Sequence, residues 1–201
     1  MDNSDKHLWE TYINQCDPYF NICTEQSVLE IGSFQGLHTK TILSKNPKSL
    51  TLIEPDKKMS EMFLENNSAI SEKCSIINED IVFYLNEKRS FDVVICCGVL
   101  YHLHNPFYLL ELIANRINPK LLILETFTSP TPELFYEELN ITGNRQAINW
   151  RSCTVRLMFP KHFLIKAMDD LGFDLIDEAV ILKPSNQIIP ADFMVFKNNG
   201  R

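Results

Sequence analysis

Residues 28–36, V-L-E-I-G-S-F-Q-G, constrain the fold more tightly than any other stretch of this 201-residue chain. A short apolar run carries Glu30, passes through Gly32 and Gly36, and gives way to a helical pattern over residues 37–44. That order reads as strand, tight glycine turn and helix. Gly32 suits a backbone that must pass close under a nucleoside-type ligand, where a Cβ has no room. Glu30, emerging with the strand, can accept hydrogen bonds from a ligand's ammonium group. A dinucleotide fingerprint would carry a glycine where this chain has Phe34, and a phosphate cradle would favour a basic residue over an acid.

The following segments alternate in the same way. A second strand over 49–53 ends at Glu54-Pro55-Asp56. An acid at the carboxyl end of the strand beside the first accepts ribose hydroxyls in nucleoside-binding sheets, although Glu54 can also be read as a solvated turn residue. Asp56 caps a helix to about residue 66, with Met59, Met62 and Phe63 on its buried face. A third strand over 74–77 leads to Asp80, the N-cap of a helix over 82–87. The fourth strand, V-V-I-C-C at 93–97, is apolar enough to be buried on both faces. It ends in G-V-L-Y-H-L-H-N-P-F, where Asn105-Pro106 starts a helix to about residue 116. A fifth strand over 120–125 precedes a polar loop in which Glu125 and Thr126 could face substrate. Thr131-Pro132-Glu133 opens a short helix to about residue 139, and residues 140–160 show little periodicity. A helix over 161–171 stops at Gly172. Strands over 173–182 and 191–197 are too close in sequence for a helical crossover and so pair antiparallel.

The spacing E-x-G-x-x-x-G resembles the first motif of class I S-adenosylmethionine-dependent methyltransferases, with Phe34 in place of the middle glycine. F-D-V-V-x-C-x-G-V-L-Y-H-L-x-N-P, residues 91–106, is similar to a later motif of the same family. It is nearest to the subgroup of tRNA wobble-uridine enzymes and their small-molecule-methylating relatives. The likeness covers roughly residues 26–126. It implies an α/β three-layer sandwich with a seven-stranded, mostly parallel sheet and a C-terminal antiparallel hairpin. The whole chain would then be one methyltransferase domain, with residues 1–27 as a helical lid and 127–160 as a substrate-recognition insertion. For the lid segment, a helix packed on the sheet through Trp9 and Tyr12 is an equal reading. The implied cofactor is S-adenosylmethionine. Glu30, Gly32, Gly98 and Tyr101 would lie at its methionine part, Glu54 at the ribose, and Asp80 and Ile81 at the adenine, with Ser33, Gly36, Pro55 and Cys97 also among the cofactor-binding residues.

The acceptor side is less constrained. His102 can be a general base, since its unperturbed pKa suits proton transfer at neutral pH, or a structural residue that fixes the helix start. Between Glu138 and Asp169 there is no acidic residue, while Arg145, Arg151, Arg156, Lys161 and Lys166 all fall there. Arg151 and Arg156 could grip a carboxylate or phosphate, Trp150 could stack on a flat ring, and Thr126 could face the same ligand. The alternative is a solvated basic surface. The net charge of −7 argues against nucleic acid binding over the whole surface. The six cysteines include no C-x-x-C, and read as reduced thiols with no metal site. No apolar run approaches the roughly 20 residues that span a bilayer, and the start is polar, so a cytoplasmic protein with no membrane partner is expected. The expected activity is methyl transfer to an O or N nucleophile of a small acceptor, anionic in one reading. The alternatives are tRNA modification and a non-catalytic module in which the Phe34 ring fills the donor pocket.

Overall fold

The computed structural model describes residues 3–34, 36–66, 72–129, 131, 135–138, 155–183 and 189–201. The chain opens with α1 (Asn3–Cys16) and a 3₁₀ helix (Asp17–Cys23) started by Pro18. Then β1 (Ser27–Ile31), α2 (Thr39–Ser44), β2 (Ser49–Ile53), α3 (Lys57–Asn66), β3 (Ser75–Ile77), α4 (Ile81–Tyr84) and β4 (Val93–Cys97) alternate. A 3₁₀ turn (Leu100–His102), α5 (Pro106–Leu112) and β5 (Leu121–Thr126) follow. Short strands β6 (Thr128–Ser129), β7 (Phe135–Glu138) and β8 (Val155–Pro160) precede α6 (Lys161–Asp170), β9 (Phe173–Lys183) and β10 (Ile189–Asn198).

The main sheet has seven strands in the order β3-β2-β1-β4-β5-β10-β9. The first five run parallel, and β10 pairs antiparallel with both β5 and β9. Strand order reverses between β1 and β4, which opens a crevice at the carboxyl ends of those strands. The period-two alternation of the central strands serves both faces. Leu29, Val94 and Leu122 pack with Leu109, Leu164 and Met168 on one side. Val28, Ile95, Ile123 and Phe193 pack with Tyr12, Cys16, Phe20 and Ile42 on the other. The result is the predicted three-layer arrangement, with α1 packed on the sheet through Tyr12 and Cys16. Burial raises the thiols of Cys16, Cys23 and Cys96 to about 12. Among the described residues no helix is long and apolar enough to cross a membrane.

Local signals set most boundaries. The Asn105 side chain accepts from the Tyr108 amide at 3.2 Å and Pro106 takes the first turn of α5. That helix relaxes into a π turn (Ile113–Ile117) that ends at Asn118 in the left-handed region. Three expectations need correction. The helix expected over 82–87 is the single turn α4. The short helix expected to residue 139 is absent over 135–138, where β7 pairs antiparallel with β8. The stretch read as aperiodic contains β8, which also pairs in parallel with β6. Strand propensity depends on a partner, and the partner of Phe135-Tyr136 lies some twenty residues away in sequence at Leu157-Met158.

Candidate active site at the carboxyl ends of the strands

The glycine turn after β1 is tied to its neighbours through the backbone. The Gly32 amide donates to the Ile53 carbonyl at 2.8 Å, and a Cβ on Gly32 would lie 2.5 Å from Val99 Cγ2. With φ at +73°, that position takes a side chain only with strain. The Ser33 carbonyl accepts from the Gly36 amide at 2.8 Å and closes the loop. Phe34, where the family motif has glycine, adopts a left-handed φ of +50°. Its amide donates to Glu54 Oε2 at 2.8 Å, which helps hold that conformation. The Phe34 ring is 49 % exposed and is not part of the lining of the adjoining cleft.

Glu54 joins three loops. Its second oxygen accepts from the Asp56 amide at 3.0 Å, and its carbonyl accepts from the Asn78 side chain at 3.1 Å. Burial raises the carboxyl, against the lowering effect of the two amide bonds. Each oxygen retains a lone pair for a hydroxyl ligand. Glu30 lies beneath the turn, accepts from the Thr39 hydroxyl at 2.7 Å and is pushed up to about 8, chiefly by burial. Gly32, Pro55, Asp80 and Ile81 line one small cleft together with Ile31, Ile53, Val99 and Leu103. Asp80 also caps α4, accepting from the Val82 amide at 2.8 Å.

A second group of polar side chains meets beyond Gly98. A Cβ there would lie 2.8 Å from Lys183 Nζ, 3.3 Å from the Tyr101 hydroxyl and 3.5 Å from Glu125 Oε2. Lys183 donates to Glu125 Oε2 at 2.9 Å and to the Tyr101 hydroxyl at 3.2 Å. Tyr12, from α1, donates to the same carboxylate oxygen at 3.2 Å, and its hydroxyl lies 3.1 Å from His38 Nε2. The Lys183 ammonium stands 5.6 Å from the ring centres of Tyr12 and Tyr101 and 5.7 Å from that of Phe127, within cation–π reach. Burial works to lower the Lys183 pKa, but the Glu125 carboxylate and Tyr101 outweigh it, so the amine stays charged. Burial, aided by the Lys183 charge, lowers His38 to about 3 and leaves its imidazole neutral. Glu125 Oε1 and His38 Nδ1 are buried and have no hydrogen-bond partner among the described residues.

Tyr101 is buried between His102, with ring centres 4.4 Å apart, and Phe127, at 4.7 Å. His102 is half-buried on the 3₁₀ turn, its amide donating to the Val99 carbonyl at 2.9 Å. Cys97 sits opposite Glu125 in the β4–β5 register, and burial raises its thiol. Thr126 is buried at the end of β5. Trp150 and Arg151 lie outside the described residues. Arg156 has a place on β8 opposite Glu137, but its side chain lies outside them too.

Lys183, Tyr12 and His38 belong to the polar cluster around Glu125, and sequence reasoning did not place them there. Lys183 reads as the first residue of a turn, and Tyr12 as core. One signal was available: a lone lysine closing a strand, with an acid, Glu125, closing another strand of the same sheet.

A family model described as a methyltransferase domain matches residues 4–178. The tRNA U34 carboxymethyltransferase of Nautilia profundicola is 30% identical over 116 residues, covering 55% of this chain and 37% of that protein. The enzyme of the same name from Helicobacter pylori is 30% identical over 112 residues, 54% of this chain and 43% of that protein. The matches thus span less than half the length of these relatives. Among solved structures, the Burkholderia thailandensis 1,6-didemethyltoxoflavin-N1-methyltransferase, with its substrate and S-adenosylhomocysteine bound, superposes with a TM-score of 0.72 at 15% identity. It covers 94% of this chain and 79% of that one. The magnesium protoporphyrin IX methyltransferase of Synechocystis PCC 6803, with S-adenosylmethionine bound, gives 0.71 at 12% identity, covering 98% and 85%. With the family model matched over most of its length and the seven-stranded order in place, the chain belongs to the class I methyltransferases.

Proposed function

We propose that this methyltransferase passes the methyl group of S-adenosylmethionine to an O or N nucleophile on a small acceptor. The observation that carries the reading is the crevice at the strand-order reversal, where Gly32, Pro55, Asp80 and Ile81 line one cleft with Glu54 beside it. The residues present fit the cofactor: Ile31, Ile53, Ile81 and Val99 give the cleft apolar walls for a flat base, and the Asp80 and Glu54 carboxylates stand by as acceptors. Asp80 and Ile81 would hold the adenine and Glu54 the ribose. When bound, the cofactor supplies a methyl group activated by a sulfonium. The protein's part is orientation, which can lower a barrier by about 7–11 kcal/mol when nucleophile and leaving group are aligned. His102 and Thr126 flank the acceptor side, and Arg151 and Arg156 would hold an anionic acceptor. Calorimetric titration with S-adenosylhomocysteine, with a nicotinamide dinucleotide as control, tests the donor site. Binding of the first alone is expected, and binding of neither would leave a non-catalytic module as the reading.

A second reading has support in the names of the relatives, all tRNA U34 carboxymethyltransferases among those compared above. Under it the acceptor is a tRNA wobble uridine, the transferred group is a carboxymethyl carried on the sulfonium of a carboxylated derivative of S-adenosylmethionine, and the basic stretch between Glu138 and Asp169 contacts RNA. Binding of a tRNA transcript would then weaken steeply with salt. A flat salt response would dismiss it.

A further inference from the structure

Two walls of the cleft come from different loops, and the main-chain ladder that joins their strands stops short of it. β2 and β3 pair in parallel up to Ile53 opposite Ile77, and a further bond from the Glu54 amide to the Ile77 carbonyl, at 3.1 Å, closes the ladder. Beyond it, no backbone bond among the described residues joins residues 55–56 to residues 78–81. Pro55, Asp80 and Ile81, which line the cleft, all lie past that point.

The Asn78 side chain takes over where the ladder ends. Its amide nitrogen donates to the Glu54 carbonyl at 3.1 Å and to the Ser60 hydroxyl. A carbonyl can only accept, so the group facing it is the NH₂ and not the amide oxygen, and both of its protons are spent. The peptide held in this way joins Glu54 to Pro55. Proline brings no N–H, so that carbonyl is the sole hydrogen-bonding group the peptide has. Ser60 is buried on α3. One side chain therefore fastens the β3–α4 loop both to the end of β2 and to the helix that follows it. Two residues further on, the bond from the Val82 amide holds the Asp80 carboxylate against α4.

We propose that Asn78 is a positioning residue that sets the spacing between Pro55 and Asp80, and through it the selectivity of the cleft for a base with an exocyclic amine. The Asp80 carboxylate accepts from such an amine and repels a ring carbonyl in its place. That discrimination holds only while the acid is kept at hydrogen-bond distance from the base edge. Asn78 acts through Asp80 and through the Glu54–Pro55 peptide, not on the ligand itself. The inference rests on the donor reading of the preceding subsection, in which Asp80 and Ile81 hold the adenine.

Two ligands that differ at that group test it. S-adenosylhomocysteine carries a 6-amino base, and S-inosylhomocysteine a 6-oxo base. Calorimetry is run with both on the unchanged protein, on Asn78→Asp, which keeps the size but turns the donor into an acceptor, and on Asn78→Ala. Asn78 is exposed, so neither variant opens a cavity in the core. The unchanged protein is expected to favour S-adenosylhomocysteine by about 10- to 100-fold, and both variants to cut that preference at least about fivefold. A merely structural role would lower the melting temperature, or the affinity for both ligands alike, and leave their ratio in place. An unchanged ratio in the variants, or equal binding of the two ligands by the unchanged protein, overturns this inference and leaves the donor reading intact. Unchanged protein that binds neither ligand overturns both.

Discussion

The glycine turn and the charged cluster beyond Gly98 lie on one sheet edge but are built in opposite ways. The turn draws on neighbouring strands and loops, and its main ties are backbone amides: Gly32 to Ile53, Gly36 to Ser33, and Phe34 and Asp56 to Glu54. The cluster draws side chains from α1, the start of α2, the turn after β4, β5 and β9, and holds them by charge and hydroxyl contacts. A site made of backbone can exchange most side chains, provided the close approaches stay open. A site made of buried charges cannot lose one member without stranding another.

That contrast can be broken by substitution. The largest effect is expected from Lys183→Met alone, which leaves the buried Glu125 carboxylate without its cation. Removing one partner of a buried pair costs about 3–5 kcal/mol, so thermal melting should drop sharply, while the double variant with Glu125→Gln recovers most of the loss. Equal melting of the single and double variants would show that the two charges are not coupled. Next is Gly32→Ala. Its methyl would press on Val99 at a left-handed backbone position, with an expected cost of about 2–4 kcal/mol in chemical denaturation. Donor-product affinity should fall with it, and an unaltered variant would mean that the turn is looser than described.

Smaller effects sharpen the comparison. Phe34→Gly should leave S-adenosylhomocysteine affinity within about twofold, because the wild-type ring stands half in solvent and the substitution retains the amide bond to Glu54. A large gain would revive the reading in which that ring blocks the pocket. Glu30→Gln gives the most pH-dependent change, negligible near pH 4.5 and growing above it. The Glu30 carboxyl is raised from 4.5 to about 8 in the fold, so the stability it contributes is fully present below about 4.5 and is lost as pH rises through 8. The Gln variant should therefore melt with wild type near pH 4.5 and above it at pH 8.5, by a margin of several degrees that grows across the interval. Parallel melting curves at both pH values would remove burial as the cause.

The same contrast explains what the sequence could disclose. The turn was legible because E-I-G-S-F-Q-G and the acid closing β2 sit at fixed offsets in a strand–turn–helix unit. Asn105-Pro106 marked the start of α5 for the same reason. Lys183 was not legible as a site residue, because its meaning depends on Glu125 and Tyr101, each more than fifty residues away. Tyr12 reads as core, and it is core; only its hydroxyl joins the site. The β7–β8 pair was missed because its strands are short and separated in sequence, so local pattern alone does not favour them over helix or loop. The replacement of a motif glycine by Phe34 was visible, but the exposed placement of its ring goes with a backbone angle that the letter does not specify.

The reading of the crevice between β1 and β4 as a donor site for S-adenosylmethionine stands or falls on calorimetric titration of the unaltered protein with S-adenosylhomocysteine and, separately, with a nicotinamide dinucleotide. Saturable binding of S-adenosylhomocysteine in the micromolar range is expected, with none of the dinucleotide. Binding of the dinucleotide, or of neither ligand, would contradict it.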